Sequence, residues 1–168
     1  MEGSIVQIRL ENFITFRKLT VSPNKYFNLV TGPNGTGKSS LMCALCLGLA
    51  GKPRVVGRAT NVSEYIRYNA ESAKIELELR SSKGANRKIS RTIFRDNKST
   101  WTLDGFSCSQ KEVEKLALDL NIHVDNLCQF LPQDRVQDFA KMNCQTLMEN
   151  TEKAALILQK MKRISFLH

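Results

Sequence analysis

The sequence predicts an α/β fold: a strand, glycine loop and helix, then an antiparallel β meander, then a helical end. Three observations predict it. The run Gly32-Pro33-Asn34-Gly35-Thr36-Gly37-Lys38-Ser39 stands between a short apolar stretch and a leucine-spaced segment. Residues 73 to 103 alternate apolar and polar side chains with period two. Beyond Ser109 the apolar spacing returns to steps of three and four, the period of a helix face.

In chain order, Ser4 to Leu10 sets apolar Ile5, Ile8 and Leu10 against polar Gln7 and Arg9, a half-buried strand. Phe27 to Thr31 is a short, mainly apolar run ending at the glycine loop and predicts a buried strand feeding it. From Lys38 to Leu49, Leu41, Leu45 and Leu49 recur at helical spacing, and Gly51 with Pro53 ends the helix. Residues 52 to 72 are basic and irregular, a loop with at most a short helix near Glu64. In the meander, Ala73, Ile75, Leu77 and Leu79 face one way and Lys74, Glu76, Glu78 and Arg80 the other. Lys88 to Phe94 and Thr100 to Leu103 repeat the pattern, and Asp104-Gly105 is a two-residue hairpin turn. Ser109 and Glu112 form a capping box, opening a helix whose stripe is Val113, Leu116, Ala117 and Leu120. Asn126 to Asp138 is broken at Pro132 and predicts strand and loop. Leu147, Thr151, Ala154, Leu158 and Met161 trace a heptad-like seam.

Composition narrows the function. The 168 residues carry 42% hydrophobic side chains, enough for one domain with a core. No apolar run approaches the ~20 residues that span a bilayer, and no secretory signal pattern opens the chain, which predicts a soluble intracellular protein without membrane contact. The five cysteines, odd in number and irregularly placed, fit a reducing compartment. Cys43 and Cys46 form a C-x-x-C, but without a second pair or a histidine cluster they read as small buried residues of the helix. Lysine plus arginine exceed aspartate plus glutamate by 25 to 16, a formal charge of +9 and a pI near 9.5, favouring polyanionic partners such as nucleic acid.

The glycine loop carries the chemistry. It satisfies the Walker A pattern in its required strand–loop–helix context. Gly32, Gly35 and Gly37 let successive backbone N–H groups point at phosphate oxygens, and the helix starting at Lys38 adds its positive dipole end. Lys38 supplies a point charge for the β- and γ-phosphates, and the Ser39 hydroxyl a ligand for Mg2+.

Beyond the P-loop, the chain has a strand with Asn-Phe-Ile-Thr-Phe at 12 to 16, then Leu-Gly-Leu-Ala-Gly-Lys-Pro at 47 to 53, Val-Gly-Arg-Ala at 56 to 59 and Asn-Leu-Cys-Gln-Phe-Leu-Pro-Gln-Asp-Arg-Val at 126 to 136. In these runs the chain resembles the N-terminal half-head of the structural maintenance of chromosomes (SMC) ATPases, and the last run points to the family's fifth branch. The resemblance implies an ABC-type P-loop NTPase half-domain over residues 1–142, with residues 143–168 starting a coiled-coil arm whose tail diverges after Ala154. It implies ATP and Mg2+ as cofactors, held by Gly32, Pro33, Asn34, Gly35, Thr36, Gly37, Lys38, Ser39, Ser40 and a Q-loop glutamine. Gln133 fits that last role, with Gln129 four residues earlier as the alternative. Arg58 matches the family's DNA-contacting arginine, with Lys52 and Arg54 beside it. Some relatives carry a nucleotide-contacting basic residue after the strand-one phenylalanine, where this chain has Ile14.

The resemblance also implies what must be supplied from outside. The Walker B aspartate, catalytic glutamate and Ser-Gly-Gly signature of such sites belong to a C-terminal half-head, and this sequence has no apolar strand ending in Asp-Glu and no Ser-Gly-Gly. Hydrolysis is therefore expected only with that half-head and a partner SMC head, alongside non-SMC subunits, on DNA in the nucleus, in chromosome maintenance and double-strand-break repair. Glu149 and Glu152 on the last helix read as solvated charges. The alternative is a catalytically inactive module that binds DNA or protein through its basic surface; a transporter nucleotide-binding domain is a weaker reading, because its core motifs do not fit this length.

Overall fold

The computed structural model describes residues 2–57, 59–82 and 84–155. Its frame is one antiparallel sheet of six strands, with the glycine-loop helix laid on one face. The strands are β1 (Ile5–Phe13), β2 (Phe16–Val21), β3 (Ser72–Leu79), β4 (Arg87–Phe94), β5 (Ser99–Leu103) and β6 (Phe106–Cys108), in spatial order β2-β1-β3-β4-β5-β6. The meander forms as predicted, in register Ile75 with Arg91 and Arg91 with Trp101. Asp104 and Gly105, both at positive φ (54° and 89°), make its last tight turn, and the Asp104 carboxylate accepts bonds from Lys88 N at 2.8 Å and Arg87 Nε at 2.6 Å.

The alternation in β3 becomes burial: Ala73, Ile75, Leu77 and Leu79 are inside and the residues between them half-exposed. Each large aliphatic of this row contributes about 2 kcal/mol on leaving water. Opposite them lies α1 (Lys38–Gly48). Its buried face departs from the predicted leucine stripe: Ser40, Cys43, Ala44, Cys46, Leu47 and Gly48 are inside, and of the three leucines Leu49 is buried while Leu41 and Leu45 are only partly covered. The reason is distance. A Cβ at Gly48 would fall 2.7 Å from Leu77 Cδ1 and 2.9 Å from Ile75 Cγ2, so only small residues let this helix approach β3. The helix end is pinned from the sheet by buried Arg91, whose Nη1 donates to Leu47 O at 2.9 Å while its guanidinium lies 4.6 Å from the Trp101 ring centre. Burial brings Arg91 down to about 10 from its usual 12.5.

Helix α2 (Gln110–Asp119) starts at the predicted capping box, with Glu112 N donating to Ser109 Oγ at 3.3 Å and Ser109 N to Glu112 Oε2 at 2.7 Å. Near Glu64 the chain makes only a 3-10 turn, Val62–Tyr65, with a second at Pro53–Val56. No described helix is long and apolar enough to cross a membrane.

Three expectations are corrected. Phe27 to Thr31 is not a buried strand: no described strand lies beside it, and Tyr26, Phe27, Leu29 and Val30 are 85%, 77%, 74% and 54% exposed. Just before it the chain is held by local side chains rather than by a ladder, Asn24 N donating to Asn28 Oδ1 and Tyr26 N to Asn24 Oδ1. The Asn-Phe-Ile-Thr-Phe run is not one strand but the tip of the β1–β2 hairpin, with Asn12 and Ile14 at positive φ, and β2 itself went unpredicted. Residues 126 to 138 hold no strand. Asn126 Oδ1 accepts from Cys128 N at 2.9 Å and Asn126 O from Gln129 N, which curls the segment. After Pro132 the chain makes a 3-10 turn at Gln133–Arg135 and a short helix α3 (Val136–Ala140). The last helix, α4 (Cys144–Ala154), carries Leu147, Thr151 and Ala154 of the heptad seam; Leu158 and Met161 lie outside the described residues.

Candidate functional site

The glycine loop runs into α1 through Gly37, which caps the helix at φ 100°. That position admits glycine alone for two reasons. The left-handed backbone disfavours a side chain, and a Cβ there would collide with the Phe16 ring and lie 2.8 Å from Thr15 Oγ1. The β1–β2 hairpin tip thus props the loop from behind, a contact that only the chain's path reveals.

No side chain caps the first turn of α1, and no acidic residue sits in it. The free N–H groups and the dipole end stay available to an anion. Lys38 Nζ folds back into the loop, donating to Gly32 O at 2.5 Å and Pro33 O at 2.7 Å, and Thr36 Oγ1 donates to Pro33 O at 2.9 Å. The loop is closed on itself, with the ammonium parked where it can swing outward. Gly32 through Thr36 are exposed, including Asn34 and Gly35, whereas Ser40 is buried in the core and offers no side chain to the site.

Beside the loop lies a cleft of about 440 Å3, lined from α1 by Lys38, Ser39 and Met42 and from the later segment by Leu131, Pro132, Gln133 and Asp134, with Val56 also in its wall. The fold therefore brings Gln133 to the start of α1. Gln129 is engaged elsewhere: its Nε2 donates to Asn121 O at 3.0 Å and Ala154 O at 3.2 Å, and its Oε1 accepts from His123 N at 2.7 Å. It joins Asn126, whose Nδ2 donates to Asn150 O at 2.8 Å, in tying this segment to α4. Ser39 Oγ, the Gln133 amide oxygen and the Asp134 carboxylate are hard oxygen donors on one cleft, a set that fits Mg2+. Asp134 was not singled out from the sequence, although it is the next residue after Gln133.

Lys52 and Arg54 are exposed beside an open groove of about 640 Å3 that also takes in Gly57 and Glu64. Arg58 lies outside the described residues. Glu149 and Glu152 do not line the cleft beside the glycine loop. Cys43 and Cys46 are buried thiols, and Cys46 is pushed up to about 12 by burial and then by Asp125 and Cys43, which keeps it protonated and unreactive. No cluster of three metal-ligating side chains occurs among the described residues.

The family model of the AAA domain matches residues 7–165. Structural maintenance of chromosomes protein 5 of Arabidopsis thaliana is 46% identical over 158 residues, covering 92% of this chain and 15% of its own length. The chain thus spans about one-seventh of that relative. Among solved structures, one described as ATP-driven dimerisation and DNA-stimulated activation of SMC ATPases superposes with a TM-score of 0.77 at 21% identity, covering 90% of this chain and 99% of that one. An Smc head bound to the C-terminal winged-helix domain of ScpA gives 0.75 at 22% identity, covering 83% of this chain and 47% of the other. With the glycine loop, the meander and the Gln133 cleft in place, the chain belongs to the AAA domain family, as the N-terminal half-head of an SMC-type protein.

Proposed function

We propose that the chain binds ATP with Mg2+ and supplies the phosphate-holding half of an SMC-type ATPase site. The observation that carries the reading is the cleft in which Gln133, remote in sequence, meets Lys38 and Ser39. In this reading the backbone N–H groups of Gly32, Asn34, Gly35, Thr36 and Gly37, with those of Lys38, Ser39 and Ser40, orient the phosphates, while Pro33, which has no N–H, shapes the loop. Lys38 gives up its loop carbonyls to take the β- and γ-phosphates, and Ser39 Oγ and Gln133 Oε1 hold the cation. Mg2+ supplies charge neutralisation on the phosphates. Among the described residues lining the cleft only Asp134 carries a carboxylate, and it adjoins the cation donors; in this reading water activation comes from a C-terminal half-head. The exposed run Tyr26 to Val30 supports this, as an apolar segment that a second body would cover.

Within the cell the half-head acts on DNA in chromosome maintenance and in double-strand-break and recombinational repair, in the nucleus. It pairs there with a second SMC subunit and with non-SMC subunits. Its likeness to an Smc head bound to ScpA supports the last of these. Arg58, Lys52 and Arg54 make the DNA contact, with residues 143–168 starting the coiled-coil arm. The exposed apolar run also favours a second reading, a protein- or DNA-binding module indifferent to nucleotide. Titration of the purified chain with a fluorescent ATP analogue in Mg2+ decides: saturable binding supports the first reading, and none leaves the second.

A further inference from the structure

We infer that Asp134 makes the phosphate cleft selective for a nucleotide already carrying a divalent cation, by repelling the bare polyphosphate. The inference rests on the nucleotide reading above and concerns which charge form of the ligand that cleft accepts.

The placement is fixed by backbone. Pro132, at φ −65° and ψ 149°, ends the extended approach, and the 3-10 turn at Gln133–Arg135 then sets two consecutive side chains, Gln133 and Asp134, on the wall facing Lys38 and Ser39. From the other side Asp134 meets the backbone of Gly57, which closes the 3-10 turn Pro53–Val56 at φ +67°. A Cβ on Gly57 would sit 3.1 Å from Asp134 Oδ2 and 3.4 Å from Asp134 Cβ, so the carboxylate occupies the space that a side chain at 57 would take.

No described residue forms an ion pair or hydrogen bond with the Asp134 carboxylate. The adjacent cation, Arg135, is turned away: its Nε donates to Asp138 Oδ2 on α3. Lys38 spends its ammonium on the carbonyls of Gly32 and Pro33. A carboxylate on a wall built to hold phosphates is unfavourable on its own, since like charges within a few ångströms repel. A divalent cation between them reverses the sign. It removes two charges from the polyphosphate and turns Asp134 into an attractive group beside Ser39 and Gln133, all hard oxygen donors. Asp134 thereby raises the ratio of metal-charged to metal-free affinity, acting chiefly on the metal-free form.

The test compares the full chain with Asp134→Asn, titrating a fluorescent ATP analogue in excess Mg2+ and in EDTA, with melting curves to show that the variant folds. Asp138→Asn is the control for net charge, since that carboxylate lies off the cleft and pairs with Arg135. The expected result is metal-free affinity rising roughly three- to tenfold in Asp134→Asn, the size of one partly screened like-charge contact, and unchanged in Asp138→Asn. Metal-free affinity that stays the same or falls in Asp134→Asn overturns the inference, as does an equal rise in both variants, which would make it an effect of overall charge. Failure of the parent chain to bind the analogue even in Mg2+ defeats the nucleotide reading itself, a result distinct from either.

Discussion

Replacing Lys38 by Met keeps the length of the side chain and removes its charge, and the structure sets the size of the effect. In the free loop the ammonium already makes two bonds, to Gly32 O and Pro33 O. Phosphate binding must break them. Charge-assisted contacts to two phosphates are worth about 3 to 5 kcal/mol together, and the two solvent-exposed carbonyl bonds given up cost about 1 to 2 kcal/mol. The net loss in Lys38→Met is therefore about 2 to 3 kcal/mol, a weakening of roughly thirty- to 150-fold in Kd. Parking the lysine on the loop makes the loss smaller than the gross phosphate contact would suggest. The fold should survive, because the side chain is half-exposed and its ammonium is held only by loop carbonyls. The assay is equilibrium titration of a fluorescent ATP analogue at fixed Mg2+, with a thermal melt in parallel. A variant that binds within twofold of the parent would refute the reasoning and with it the role given to the loop.

Other outcomes follow from the same geometry. The purified chain should release phosphate from ATP no faster than buffer, and addition of a matching C-terminal half-head should raise the rate; brisk turnover by the chain alone would mean that a carboxylate has been overlooked. Charge reversal at Lys52 and Arg54, on the exposed groove beyond α1, should lower affinity for duplex DNA without sequence preference. It should flatten the dependence on log salt by about one unit per residue and leave nucleotide binding intact; anisotropy over a salt series measures both. Burial raises Cys46 from 9.0 to about 12. Its folded state therefore holds the thiol proton that the unfolded chain releases, and this stability is fully present below pH 9 and lost as pH rises towards 12. Between pH 9 and 10 the loss should approach about 1.4 kcal/mol per pH unit, and urea unfolding of Cys46→Ala should lack that decline.

What the sequence disclosed was local. Gly32, Gly35, Gly37 and Lys38 announce their loop because its demands fall within eight neighbouring residues, and Ile75, Leu77 and Leu79 announce a strand because the pleat repeats every second residue. Asp104-Gly105 and Ser109 with Glu112 are likewise closed over a few residues. The failures were matters of partnership. The run Phe27 to Thr31 records an apolar need without saying what meets it. Leu41 and Leu45 looked like the core stripe of α1, but closeness to β3 handed that place to Cys43, Ala44, Leu47 and Gly48. Gln129 and Gln133 were separable only once Asn126 curled the segment, turning one glutamine to α4 and the other to the cleft. Asp134, next to Gln133, was passed over because no spacing rule marks a carboxylate whose importance lies in what the fold sets opposite it.

The uncovered segment Tyr26 to Val30 bears on how this chain can be handled and how long it lasts. Exposed apolar side chains on a segment outside any sheet are a usual seed of strand addition between copies. A covering partner that binds only the folded chain stabilises it in proportion to the logarithm of its own concentration. Solubility is then an assembly readout. Raising the ratio of a C-terminal half-head to this chain during expression should increase the soluble fraction in a saturable way, and substituting Phe27 and Leu29 by Ser should loosen that dependence. In a cell the same exposure would make excess half-heads short-lived, so the amount of this chain would follow the supply of whatever covers residues 26 to 30.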